Sequence, residues 1–187
     1  MEEGRVTVDG VTHALPAPFL VIATQNPVEH QGTFPLPEAQ LDRFAIAVSL
    51  GYPTEAEEAS LLARSIGAAP AQAVAAAVAP GQLAEWQAAV RAVKVEDSLQ
   101  AYIVRVAART RSHPQIAMGV SPRGSLQWLR MAQATAWLDG RDFVTPDDLR
   151  RTALAVLAHR LLLAHRAGLV ARRELAQQVL AEIAVPD

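Results

Sequence analysis

The chain has 187 residues, of which 51% are hydrophobic, a formal net charge of −2 and no cysteine. This length allows one domain, or two small ones, with a buried core. The near-neutral charge excludes a strongly basic nucleic-acid surface, and the lack of cysteine excludes disulfides and thiolate metal sites. No stretch approaches the ~20 apolar residues of a membrane span, and the acidic, polar start is not a signal peptide. We therefore expect a soluble cytoplasmic protein.

The chain begins with a pattern typical of a β-hairpin. Val6 and Val8 alternate with polar neighbours, and Asp9-Gly10 supplies a turn before the return strand begins at Val11. We expect this hairpin over residues 5–15.

The next pattern is an apolar run that ends in a polar turn. Residues 19–24 are all apolar or small or β-branched, which predicts a strand buried on both faces. Asn26-Pro27 ends the run, because the residue before a proline leaves the helical region and asparagine favours turns. In an open α/β sheet, ligands bind beyond the carboxyl ends of strands, so Asn26 is a candidate site residue. On pattern alone, an ordinary Asn-Pro turn remains the commoner explanation.

A short helix and a second strand follow. Residues 35–38 (PLPE) predict a helix start, because proline is tolerated in the first turn and a carboxylate suits the helix dipole. Arg43 lies near the end of this helix, where a cation is favourable in any case. Residues 44–50 alternate large and small side chains, which predicts a strand.

The rest of the sequence predicts helices. Thr54 and Glu57 form a capping box that starts a helix ending near Ile66. The Ala/Pro-rich residues 68–81 predict a linker, and residues 83–90 a further helix.

Four more helices with short connections predict a compact bundle. Their starts carry clear signals, such as a serine N-cap followed by proline at the first helical position. The predicted helices run from Asp97 or Ser98 to His113-Pro114, from Ser121-Pro122 to Gly140, from Thr145 onward, and from Arg172 to Ile183. His159 and His165 are interpreted as helix-end or surface residues, and no histidine pair has the spacing of an HExxH zinc site.

Two segments resemble a known family. Residues 23–44 (ATQNPVEHQGTFPLPEAQLDRF) closely resemble the second half of the ATPase core of MoxR-type AAA+ proteins, and residues 119–163 resemble their lid. The resemblance implies a mostly α fold, with an α/β remnant followed by an all-α lid. Residues 1–53 would be the end of a P-loop AAA+ core with its hairpin, residues 54–96 connecting helices and linker, and residues 97–187 the lid bundle.

The resemblance also implies roles for three residues. Asn26 corresponds to the sensor 1 residue, Arg43 to the arginine finger that acts in trans, and Arg123 to the sensor 2 residue that contacts the ATP phosphates. Arg123 is unusual on physical grounds too, because it stands in the first turn of a predicted helix, where the dipole disfavours a cation.

The family resemblance implies ATP and Mg²⁺ as cofactors of the full-length protein. It further implies a hexameric ring that acts as an ATP-driven chaperone in complex assembly or cofactor insertion, often on von Willebrand factor A-type partners. Neither nucleic acid nor a metal held by this chain is expected.

The sequence contains no GxxxxGK[ST] phosphate loop and no apolar strand that ends in Asp-Glu. Those motifs cradle the phosphates and bind Mg²⁺ in P-loop enzymes. We therefore expect no tight ATP binding and no ATPase activity from the chain alone. The chain would correspond to the C-terminal half of the family's protein, with Met1 a late start codon or a sign of a truncated gene. The alternative is a non-catalytic interaction module that docks on intact AAA+ subunits and donates Arg43.

Overall fold

A computed structural model describes residues 4–25, 36–66, 75–79, 81–165 and 168–186, and it is mostly helical. The strands are β1 (Arg5–Val8), β2 (Val11–Ala14), β3 (Ile116–Met118) and β4 (Leu162–Leu163). The helices are α1 (Glu38–Leu41), α2 (Glu55–Ile66), α3 (Gln82–Ala92), α4 (Asp97–Ser112), α5 (Pro122–Leu138), α6 (Pro146–Leu157) and α7 (Leu169–Ala181), and a 3-10 turn over Ala158–Arg160 follows α6.

The predicted hairpin is confirmed. Strands β1 and β2 pair in antiparallel register, and the hydroxyls of Thr7 and Thr12 lie 3.0 Å apart across the ladder. The turn residues Asp9 and Gly10 have φ angles of 51° and 79°. Positive φ at both central residues is the type I′ geometry, which matches the twist of the two strands.

The two strands predicted after the hairpin do not form. Residues 19–24 have no regular secondary structure, and Leu20 and Ile22 are 78% and 81% exposed. Residues 44–50 likewise form no strand, and Leu50 is 96% exposed. A strand patterned for burial on both faces needs partners on each side. Among the described residues, β1 and β2 pair only with each other, so these segments have no sheet to join.

The predicted helical bundle is confirmed, and its core lies between α4, α5, α6 and α7. Tyr102 and Trp128 are each 1% exposed, and their rings pack 5.9 Å apart between centroids. The indole Nε1 of Trp128 donates to the carbonyl of Leu149 at 3.0 Å, which satisfies its buried polar atom and ties α5 to α6.

Most helix boundaries agree with the sequence signals, with small differences. Helix α7 begins at Leu169, earlier than the predicted Arg172. The antiparallel pair β3–β4 was not predicted; it joins the segment after α4 to the segment after the 3-10 turn, with Ile116 opposite Leu163. No helix in the described part of the chain is both long and apolar enough to cross a membrane.

Two capping boxes stabilise helix starts in different surroundings. The exposed box before α2 has Thr54 N donating to Glu57 Oε2 at 2.8 Å, as predicted. The box before α6 has Thr145 N donating to Asp148 Oδ2 at 2.7 Å, and Arg141 adds two hydrogen bonds to this carboxylate. Burial alone would raise the pKa of Asp148, but the bonds from Arg141 and Thr145 bring its pKa below the usual range.

The buried box generates a stability prediction. Asp148→Ala removes the buried carboxylate that accepts from both the Arg141 guanidinium and the α6 N-terminus, although Arg141 keeps Asp139 and the Phe143 carbonyl as acceptors, and we expect a loss of about 3 kcal/mol in the free energy of unfolding. The matched control is Asp147→Ala, one residue earlier, where the side chain is 77% exposed and pairs only on the surface with Arg150. Urea denaturation measures both variants. Equal midpoints for the two would show that the Arg141–Asp148 pair contributes nothing beyond a surface contact.

The exposed apolar segment generates a second prediction. The amides of Leu20 and Ile22 should exchange with solvent far faster than those of Ala132 and Ala136, which lie in α5 with fully buried side chains. Hydrogen exchange followed by mass spectrometry resolves the two regions. Comparable protection of both would contradict the unpaired state of residues 19–24.

Candidate functional site

The structure describes two of the three predicted site residues. Arg43 is exposed and lies just after α1, while Arg123 is half-buried in the first turn of α5. Asn26 lies outside the described residues. The placements of Arg43 and Arg123 agree with the sequence prediction of a helix end and a helix start.

The chain that leads to Arg123 is fixed against the end of α4. Val120 N donates to Thr110 Oγ1 at 3.0 Å, and Arg111 Nε donates to Val120 O at 2.8 Å. A Cβ at Gly119 would come within 2.6 Å of the backbone of Thr110 and Arg111, so only glycine allows this close approach. These contacts therefore fix the start of α5 against the end of α4.

A buried guanidinium lies beneath the segment that carries Arg43. The side chain of Arg160 is 1% exposed, and its Nε donates to the Asp42 carboxylate at 3.2 Å. Its terminal nitrogens donate to the carbonyls of Asp42 at 3.3 Å, of Ala45 at 3.2 Å, of Phe44, and of Val156 in α6. A buried charge is tolerated only when it is paired and hydrogen-bonded, and here the segment after α1 supplies most of the acceptors.

Ser121 links the segment that carries Arg43 to the start of the helix that carries Arg123. Its hydroxyl lies 2.9 Å from both carboxylate oxygens of Asp42 and accepts from Gly124 N at 3.1 Å as the N-cap of α5. Asp42 immediately precedes Arg43, and Ser121 stands two residues before Arg123. The tertiary structure thus brings together two segments that are 79 residues apart in sequence.

The junction brings charged groups of both signs close together. Burial lowers the pKa of Arg160, the Asp42 carboxylate opposes that shift, and the nearby charge of Arg123 adds to it. The guanidinium groups of Arg160 and Arg123 and the Asp42 carboxylate therefore lie near one another, where the lid meets the Arg43 segment. The N–H groups of Arg160 are bonded to Asp42 and to main-chain carbonyls, so Arg123 is the candidate for binding phosphate oxygens, which the planar, permanently charged fork of arginine suits. Among the described residues, no group of three or more histidines and carboxylates could hold a metal ion.

His159 lies at a helix end, which is one of the two positions predicted for it, but it is buried. It is in the 3-10 turn at the end of α6, and it is only 5% exposed. Its Nε2 is 3.2 Å from the carbonyl of Phe44, and its Nδ1 is buried without a hydrogen-bond partner. Burial, and secondarily the charge of Arg160, lower the pKa of His159 to about 4. The ring is therefore neutral near pH 7, with Nε2–H donating to Phe44.

Sequence reasoning missed Asp42, Ser121, His159 and Arg160 as members of this junction. One signal was present: His159-Arg160 is a polar pair inside the otherwise apolar run of residues 153–163. Charged side chains are rarely buried without a partner, so this pair could have indicated a buried polar contact. Its partner in the α1 segment could not have been identified from spacing.

Comparison with known proteins identifies two protein families whose models match this chain. The family model described as the AAA lid domain matches residues 108–183, and the model described as the ATPase family associated with various cellular activities matches residues 1–46. The first match covers the end of α4 and helices α5 to α7, and the second covers the hairpin and the segment with Arg43.

Individual relatives and one solved structure show more closely which proteins the chain resembles. The chain is 42% identical over 188 residues to protein YeaC of Bacillus subtilis, spanning 100% of this chain and 59% of YeaC. It is 40% identical over 176 residues to Chaperone MoxR1 of Mycobacterium tuberculosis, covering 89% of this chain and 46% of that protein. A crystal structure from Cytophaga hutchinsonii, described as that of an ATPase, matches with a TM-score of 0.86 and 32% identity, covering 100% of this chain and 60% of that one.

Together, these comparisons match the chain to the C-terminal part of MoxR-type AAA+ ATPases. It spans about half the length of the curated relatives that it matches.

The buried imidazole generates a pH prediction. The pKa of His159 is about 4 in the folded chain against an ordinary value of 6.5, so below pH 6.5 the unfolded state binds a proton that the folded state does not. Stability should therefore be complete above pH 6.5 and fall as the pH drops toward 4, by up to about 3 kcal/mol from this group. Urea denaturation between pH 7.5 and 4, at roughly half-unit steps, measures the slope.

Two variants isolate this slope from the titration of carboxylates. His159→Gln keeps a donor for Phe44 O but cannot be protonated, so it should lose part of the pH dependence between 6.5 and 4. His165→Gln, at an exposed position, should keep the wild-type slope. An unchanged slope in His159→Gln would show that the imidazole does not hold its low pKa in the folded chain.

Proposed function

We propose that this chain supplies the sensor, arginine-finger and lid portions of a ring-forming, ATP-driven MoxR-type chaperone. The observation that carries the proposal is the Ser121–Asp42 hydrogen bond, because it joins the segment of Arg43 to the helix start that presents Arg123. The match to this family adds the class of reaction, and the relative named Chaperone MoxR1 supports the chaperone role.

Each arginine has a distinct role in the proposed ring. Arg123, on the lid, faces the nucleotide of its own subunit and neutralises charge on the phosphates. Arg43, exposed beyond α1, is offered to the nucleotide of the neighbouring subunit, where a guanidinium stabilises the charge that develops during phosphoryl transfer. An arginine finger of this kind contributes about 10³–10⁵ in turnover. Asn26 would orient the attacking water.

The cofactors of the proposed activity are ATP and Mg²⁺. The phosphate loop and the Mg²⁺ carboxylates that hold them are not in this sequence, so a complete site needs those motifs as well as this chain. We propose a hexameric ring, with protein partners that include von Willebrand factor A-type proteins, acting in complex assembly or cofactor insertion.

A subunit-mixing experiment tests the trans assignment of Arg43. Residues 1–187 are joined behind a phosphate-loop half from a relative, and Arg43→Ala and Arg123→Ala are made in this protein. Each variant alone should lose most of its turnover, because each lacks a fixed positive charge at the transferred phosphoryl group. Mixing the Arg43→Ala protein with a subunit whose phosphate-loop lysine is mutated should partly restore activity, since some interfaces then pair an intact finger with an intact site.

The same mixture made with Arg123→Ala should stay inactive, because neither subunit then holds a complete site. Arg91→Ala, an exposed arginine in the last turn of α3, is the matched control and should keep full turnover. If mixed rings form and the Arg43→Ala mixture is no more active than its parents, Arg43 does not act in trans.

A further inference from the structure

The Asp42 carboxylate is held entirely within the junction between the α1 segment and the lid. Two groups of the lid donate to it: the Ser121 hydroxyl, which lies 2.9 Å from both carboxylate oxygens, and Arg160 Nε at 3.2 Å. The side chain is only 27% exposed. Hydrogen bonds to charged groups are about twice as strong as those between neutral groups, so this carboxylate holds the two segments together firmly.

The backbone on both sides of Arg43 is docked on the lid as well. Arg160 donates to the carbonyls of Asp42 and Ala45, and His159 Nε2 is within hydrogen-bonding distance of the carbonyl of Phe44. The next contact is from the amide of residue 47, which donates to the carbonyl of residue 155 in α6 at 2.9 Å. The main chain of Arg43 therefore cannot shift relative to the lid unless these bonds break.

The start of α5 belongs to the same rigid junction. A Cβ at Gly124 would lie 2.8 Å from Arg160 Cδ, so the first turn of α5 packs directly against the buried arginine. Ser121 caps that turn while it bonds Asp42. A displacement of Arg123 with its helix is thus transmitted through Ser121 and Arg160 to Asp42, the residue next to Arg43.

We propose that Asp42 is a positioning residue that links the lid to the arginine finger. The lid position set by the nucleotide of one subunit then determines how that subunit presents Arg43 to its neighbour. This inference rests on the proposed function for the roles of Arg43 and Arg123, but the mechanical link itself is a property of this chain and can be tested without any nucleotide.

The first experiment measures the link in the 187-residue chain by hydrogen exchange. Asp42→Asn removes the charge that pairs with Arg160 and changes no apolar side chain of the bundle core. We expect the amide of Ala47, which bonds α6 across the junction, to exchange about tenfold faster or more in this variant. The amide of Ala132, inside α5, should keep its wild-type rate.

Two further variants control this result. Glu38→Gln neutralises an exposed carboxylate on the same short helix and should leave the Ala47 rate unchanged. Arg160→Lys keeps the charge but removes the planar fork, so it should open the junction as Asp42→Asn does. An unchanged Ala47 rate in Asp42→Asn would overturn the inference whatever the function of the protein.

The second experiment measures the consequence in the joined, ring-forming protein. Asp42→Asn should lower kcat by about tenfold or more with little change in KM, because the finger acts only in the transition state. Adding Arg43→Ala to Asp42→Asn should cost less than the product of the two single losses, because both changes disable the same group. A purely structural defect in the lid would instead multiply with Arg43→Ala.

The outcomes separate the two proposals. If Arg43→Ala lowers kcat but Asp42→Asn does not, the link is overturned and the proposed function stands. If Arg43→Ala itself leaves kcat unchanged, the finger assignment fails and the inference fails with it, even where hydrogen exchange shows the junction opening.

Discussion

The junction between the α1 segment and the helical bundle depends on the buried guanidinium of Arg160. Arg160 is withdrawn from water at the end of α6, and its desolvation is unfavourable unless every N–H finds an acceptor. The acceptors come from the Asp42 carboxylate and from main-chain carbonyls of the segment after α1. An exposed loop is thereby fixed on the helical bundle, and contacts made by the neighbours of Arg43 hold its main chain in place.

The lid can serve as the base of this junction because its own packing is rigid. The Trp128 indole bonded to Leu149 joins α5 to α6, and the buried box of Thr145 and Asp148 fixes the start of α6. Close approach at Gly119 fixes the start of α5 on α4. Because α5 and α6 are fixed at their starts and joined to each other, they move together, so a displacement at Arg123 can act on a residue of another segment.

The apolar segments near the hairpin follow a different physical rule. Residues 19–24 are patterned for burial on both faces, yet Leu20 and Ile22 lie in solvent because no strand in the described part of the chain pairs with them. Such a pattern suits one strand of a parallel sheet. The strand forms only when neighbouring strands pair with it. Local helices do not have this dependence, and α2 begins at its predicted capping box although none of its residues is buried.

The sequence by itself determined the elements whose causes are local: the type I′ turn at Asp9-Gly10, the capped helix starts at Thr54, Ser121 and Thr145, and the helical bundle. It also carried the family resemblance, and with it Arg43 and Arg123 as candidates. Only the tertiary structure decided that Asp42, Ser121 and Arg160 meet, that His159 is buried, and that the predicted strands stay unpaired. The physical reason is that capping and turn geometry involve residues a few positions apart, whereas the ion pair of Arg160 and Asp42 joins residues 118 positions apart. No periodic pattern in the sequence indicates such a pairing. It forms in the folded chain because a charge is tolerated in the interior only when it is paired.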